Sequence, residues 1–168
     1  MKYTISFLIM LTMSFPTYAL LVGKVDIQNV LVSVKEGKKV RDQLKGEFEK
    51  KRKILDTEQE KIKKLQQNFS KQSLVMNDKA KVEKEKEIQQ KIIELQQKSL
   101  GFQKEIQEME GKMKAPILER IKSIVDQVSK KAGVDVTFEM STAPVIYAKS
   151  EKDLTREVIK AYDKKYSK

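Results

Sequence analysis

The sequence predicts an α+β protein: a small β-sheet body carrying a long antiparallel coiled-coil helical hairpin. Two matching four-three apolar repeats in the middle of the chain predict the hairpin. Short β-branched runs at both ends, interleaved with short helical patterns, predict the body. Lysine, glutamate and glutamine fill most other positions of the repeats, so each seam is too narrow for a globular core and needs a mate.

Residues 1–19 read as a cleaved signal peptide. Lys2 precedes the apolar run "ISFLIMLTM", and Thr17-Tyr18-Ala19 supplies a small-residue exit after Pro16. The competing reading, a membrane anchor, needs about 20 apolar residues, and this run is shorter. With no cysteine to acylate, a lipoprotein is excluded, and an exported chain is held together without disulfides.

After the leader, "LLVGKV" reads as a strand. Asp26 stands as an N-cap before Ile27, Val30, Leu31 and Val34 at helical spacing. Gly37 is expected to interrupt, with a second pattern starting at Val40. The first arm follows, its apolar seam being Leu44, Phe48, Leu55, Ile62, Leu65 and Phe69. The second arm carries Ile88, Ile92, Leu95, Phe102, Ile106, Met109 and Met113. One antiparallel register pairs Phe69 with Ile88, Leu65 with Ile92, Ile62 with Leu95, Leu55 with Phe102, Phe48 with Met109 and Leu44 with Met113. The polar break at Glu58 then meets Ser99, and Lys51 lays its aliphatic stem opposite Ile106. Residues 44–113 form the arm, about 50 Å long, with its tip near 76–81, where Asn77 and Asp78 favour a turn. The polar layer and Gly101 predict bending midway.

Beyond Met113, Pro116 is expected to start a new helix with Ile117, Ile121, Ile124 and Val128 on its buried face and Gly133 at its C-cap. "VDVTFEM" alternates as a strand and "PVIYA" reads as another. Ser150 and Asp153 have capping-box spacing before a last helix lined by Leu154, Val158 and Tyr162. Segments 20–43 and 114–168 thus make one small body of three short strands and short helices, and exposed apolar strands on so small a unit call for self-association.

The chain has no histidine and no cysteine, which excludes Ser-His-Asp and Cys-His catalysis and removes the main zinc ligands. No GxxxxGK[ST] loop is present, and the carboxylates lie beside lysines on solvated helix faces. The sequence therefore predicts no enzyme, no cofactor, no metal and no catalytic residue. The net charge is +11, and removing a leader with one lysine and no acid leaves +10. For an exported protein that points to acidic partners rather than nucleic acid. The charge concentrates distally: Lys61, Lys63, Lys64, Lys71, Lys79, Lys81, Lys84, Lys86 and Lys91 face four acids within 61–91. These lysines form the expected electrostatic surface of the tip, attractive to anionic lipid or lipopolysaccharide.

The segments "VGKVDIQNVL" and "EGKKVRDQLKGEFEKK", then "APILERIKSIVDQVSKKAGVDVTFE" and "PVIYAKSEKDLTREVIKAY", occur in an order that resembles the Skp/OmpH family of periplasmic chaperones over nearly the whole chain after the leader. The resemblance implies a jellyfish-like homotrimer whose arms enclose a cavity. It also implies an ATP-independent periplasmic holdase that keeps unfolded outer-membrane proteins from aggregating. Leu74, Val75, Val82 and Leu100, apolar but off the seam, and Met76 at the seam's end are the expected client contacts, whereas Ile54 and Ile93 are expected to widen the two-helix core. The rival expectation is a structural periplasmic spacer that binds no client.

Overall fold

A computed structural model describes residues 20–167, so the expected signal peptide lies outside the described residues. The elements are β1 (Val22–Val25), α1 (Ile27–Ser33), α2 (Lys35–Gln72), α3 (Asp78–Ala132), β2 (Val136–Glu139), β3 (Glu151–Asp153) and α4 (Thr155–Tyr166). Among the described residues, no helix is long and apolar enough to cross a membrane.

The sheet is ordered β2-β1-β3, and both neighbours run parallel to β1. Parallel pairing needs a long crossover, and here α1, α2 and α3 together form the connection between β1 and β2. As expected, the Asp26 side chain caps α1, accepting from the Asn29 amide at 2.7 Å. Gly133 ends α3 at φ 69°, a left-handed conformation that a Cβ disfavours.

Gly37 does not interrupt a helix, contrary to expectation: α2 already begins at Lys35, and the break falls at Val34, which is extended (φ −64°, ψ 149°) and fully buried. Glycine is required at 37 for another reason. A Cβ there would stand 1.7 Å from the Leu31 carbonyl oxygen, so its absence lets α1 lie directly against the first turn of α2.

Pro116 does not start a helix either, and the expected division between residues 113 and 114 is crossed without a break by the 55 residues of α3. An interior proline forfeits one backbone bond and costs about 3 kcal/mol. Ile117, Ile121 and Ile124, all essentially inaccessible, follow it into the core at roughly 1.5–3 kcal/mol each, which outweighs that cost. They pack with Val30, Leu31 and Val34 of the α1 region and with Leu154, Val158 and Tyr162 at α4.

Two expectations at the C-terminal end also change. "PVIYA" is not a strand; the third strand is Glu151–Asp153, which takes the β1 edge. Pairing with β1 claims Ser150 as well, whose carbonyl accepts from the Val22 amide at 3.1 Å, so no Ser150–Asp153 capping box forms. Asp153 instead accepts from the Thr155 amide at 2.9 Å, and the Thr155 hydroxyl accepts from the Asp26 amide at 3.1 Å.

The loop after β2 is held by one carboxylate. Glu139 accepts from the amides of Ser141 (3.0 Å) and Thr142 (2.6 Å) and from both hydroxyls. The Thr142 hydroxyl, then Ser141, hold its carboxyl down at about 2 from an ordinary 4.5. A depressed carboxyl stabilises the fold above its unfolded pKa and loses that contribution as pH falls through its folded one. The loop is therefore expected to keep its order to below pH 4.5 and lose it toward about pH 2. The Ser141 and Thr142 amide resonances check this: they should shift in that window, and in Glu139→Gln the window should vanish.

Candidate functional site

The arms are fixed at their base by a polar cluster within apolar surroundings. Glu36 of α2 receives two bonds from Arg120 of α3, at 2.7 and 2.8 Å, and one from the Tyr162 hydroxyl of α4 at 2.5 Å. Arg120 also stands 5.1 Å above the Tyr166 ring. Burial, then the Glu36 carboxylate, push the Tyr162 phenol well above its usual value, so it remains a donor to Glu36 at any physiological pH. The Lys35 amide adds a bond to Asp163 at 2.9 Å. Three helices thus share one anchor where the long pair leaves the sheet.

From that anchor α2 runs to Gln72, the chain turns through 73–77, and α3 runs back along it. The turn lies slightly ahead of the expected 76–81, because Asn77 is the N-cap of α3, accepting from the Ala80 amide at 2.8 Å, and Asp78 is already helical. Partway down, Lys51 places its ammonium 4.3 Å from the Phe102 ring centroid and pairs with Glu105.

The seam residues differ in burial. Ile62 and Ile88 are buried, and Leu44, Leu55, Leu65, Phe69, Ile92, Leu95, Phe102, Ile106, Met109 and Met113 are half-buried. Phe48, expected on the seam against Met109, is instead 53% exposed. Two helices without a third can cover only one side of each other's side chains, so a large ring at the contact edge protrudes. Ile54 and Ile93 are exposed for the same reason rather than widening a core. At the polar layer, Lys61 beside Glu58, with Lys98 and Lys91 of α3, holds that carboxyl below its ordinary value.

Of the expected contacts, Leu74 (89%) and Val75 (88%) are almost fully exposed on the turn, Val82 and Leu100 are exposed on α3, and Met76 is half-buried. The distal lysines divide. Lys61, Lys63, Lys81, Lys84 and Lys91 pair with acids three residues away on their own helix. Among the described residues, Lys64, Lys71, Lys79 and Lys86 make no ion pair, and Lys71 and Lys79 flank the apolar turn in sequence. The arrangement offers adaptable apolar surface beside unpaired positive charge.

Sequence reasoning misses two features. One is a pair of recesses along the α2–α3 junction, of about 680 and 500 Å³, which share Phe48 and Ile106. The four-three rhythm marks those residues as apolar but says nothing about how far apart the helices stand. The other is the loop after Glu139, where Ile146 is 100% exposed and Tyr147 nearly so. Its β-branched run is the signal, and it misleads when no strand of the same chain is available to pair.

The OmpH-like outer membrane protein family profile matches residues 22–162. An uncharacterized protein of Aquifex aeolicus is 27% identical over 140 residues, covering 83% of this chain and 84% of that one. A solved structure from Caulobacter crescentus, described as a candidate OmpH-like outer membrane chaperone, superposes with a TM-score of 0.71 at 18% identity, covering 90% of this chain and 88% of that one.

Proposed function

Because the chain belongs to the OmpH-like outer membrane protein family, as the match over residues 22–162 shows, we propose that it is a periplasmic, ATP-independent holdase for unfolded outer-membrane proteins. The observation that carries this reading is the long helix pair with an open seam. Phe48, Leu74, Val75, Val82 and Leu100 present large apolar side chains to solvent on a scaffold otherwise dominated by charge. Many weak, repackable contacts of this kind suit a partner that has no fixed shape and must later be released.

Self-association into a trimer belongs to the same proposal. Ile146, Tyr147 and Met140 are exposed around a three-stranded sheet whose outer strands have no further partner among the described residues. Exposed strand edges beside apolar side chains are surfaces that a second copy would cover. The unpaired distal lysines add long-range attraction for acidic clients, anionic lipid or lipopolysaccharide, and this component weakens with salt.

Light scattering of a urea-diluted outer-membrane β-barrel, with and without the purified chain, tests the reading. Suppressed aggregation without ATP, less effective at high salt, is the expected result. Unchanged aggregation in the presence of a well-folded oligomer would favour a structural spacer instead.

A further inference from the structure

The two recesses along α2 and α3 adjoin, sharing Phe48 and Ile106 as lining residues, and together line an apolar trench on the proximal arm, remote from the tip. Its wall on α2 runs from Gly37 to Gln59, about 33 Å at 1.5 Å per residue. An extended chain covers that distance in about ten residues. This falls within the roughly 9–11 residues of one membrane-spanning β-strand.

The chemistry of the trench narrows its occupant further. Phe48, Leu55, Phe102 and Ile106 supply the apolar floor. Arg41, Lys45, Lys51, Arg52 and Lys114 stand around it, against Asp56 and Glu110. Lys51 and Lys114 are engaged by Glu105 and Glu110. Arg41 and Arg52 pair with Asp42 and Asp56 at 3.8 and 3.9 Å, which leaves Lys45 as the rim cation without an ion pair among the described residues. The free charge at the rim is therefore positive.

We propose that this trench binds extended segments of unfolded clients in which apolar side chains alternate with acidic or neutral polar ones. Alternate residues of such a segment point down onto the floor, and those between them point up toward the rim. The side-chain repeat of a strand, about 6.7 Å, does not match the average 5.2 Å spacing of a four-three helical seam. No register is fixed, so many sequences bind weakly and slide, as a holdase requires. The proposal rests on the client-binding reading and specifies where on the arm an extended segment lies.

The test uses the full chain and two fluorescein-labelled ten-residue peptides. Both alternate leucine or tyrosine with polar residues, aspartate in one and lysine in the other, and binding is read by fluorescence anisotropy. The aspartate peptide should bind at least tenfold more tightly than the lysine peptide. Phe48→Glu should weaken it at least tenfold. Charge reversal at the rim, Lys45→Glu with Arg52→Glu, should invert the preference, a result that mere unfolding cannot produce. Equal binding of the two peptides, or unchanged affinity in Phe48→Glu, would overturn the trench. So would a change of sedimentation state in Phe48→Glu, which would assign the surface to a second copy of the chain. If Phe48→Glu still suppresses β-barrel aggregation with peptide affinity intact, the trench fails while the chaperone reading stands. If the unmodified chain neither binds peptide nor suppresses aggregation, both fail.

Discussion

Replacing Gly37 with alanine is expected to destabilise the protein by about 2–3 kcal/mol, while the same change at Gly46 or Gly111 stabilises it by about 0.5–1 kcal/mol. All three glycines lie within long helices, where alanine is the better helix former. Open space surrounds the added Cβ at 46 and 111, so only the propensity gain remains. At 37 the Cβ would meet the Leu31 carbonyl oxygen at 1.7 Å and its carbon at 2.9 Å, both backbone atoms that no rotamer change can move. Either α1 lifts from α2 or the first turn of α2 shifts, and Leu31, Val34 and Val40 lose packing with it. Urea midpoints at one fixed protein concentration measure the effect, since any assembly makes stability concentration-dependent. A Gly37→Ala protein as stable as its parent would mean that α1 does not press on α2 as described.

Glu36→Ala should cost about 2 kcal/mol, chiefly because it leaves a fully buried phenol without an acceptor. The ion pair with Arg120 adds less, because both side chains are part exposed and water screens them. Adding Tyr162→Phe to Glu36→Ala should recover about 1 kcal/mol, since removing both partners avoids the stranded hydroxyl. A double-mutant cycle isolates that coupling. Strict additivity of the two substitutions would show that the hydroxyl does not depend on Glu36. The position of this cluster gives it wider importance: loosening it frees the base of both long helices from α4.

Much of the fold is legible in the sequence where local chemistry decides it. The Val22–Val25 strand, the Asp26 cap, the αL glycine at 133 and the alternation around Val136–Glu139 follow from nearest neighbours along the chain. Pro116 is misleading because three isoleucines docked on the core outweigh a local helix breaker, and no window of sequence displays that competition. "PVIYA" has every local property of a strand, but the β1 edge is taken by Glu151–Asp153, three residues with far weaker strand character. Pairing there is set by where the chain enters Leu154 and Thr155, both buried.

The candidate surfaces divide in the same way. Leu74 and Val75 are recognisable as exposed because they fall beyond the last seam pair, in a turn. Phe48 is not, because its heptad position marks it for burial, and only the gap between the helices leaves it open. The Glu36–Arg120–Tyr162 cluster joins residues from three helices, the first two 84 positions apart, and leaves no local trace.

The most direct measurement of the central claim is sedimentation velocity of the chain mixed with an equimolar, urea-diluted outer-membrane β-barrel labelled at one site. The account predicts that the label stays in solution and moves with the chain as a defined complex, larger than the chain oligomer alone. A label that pellets, while the chain sediments unchanged at its own rate, would contradict it.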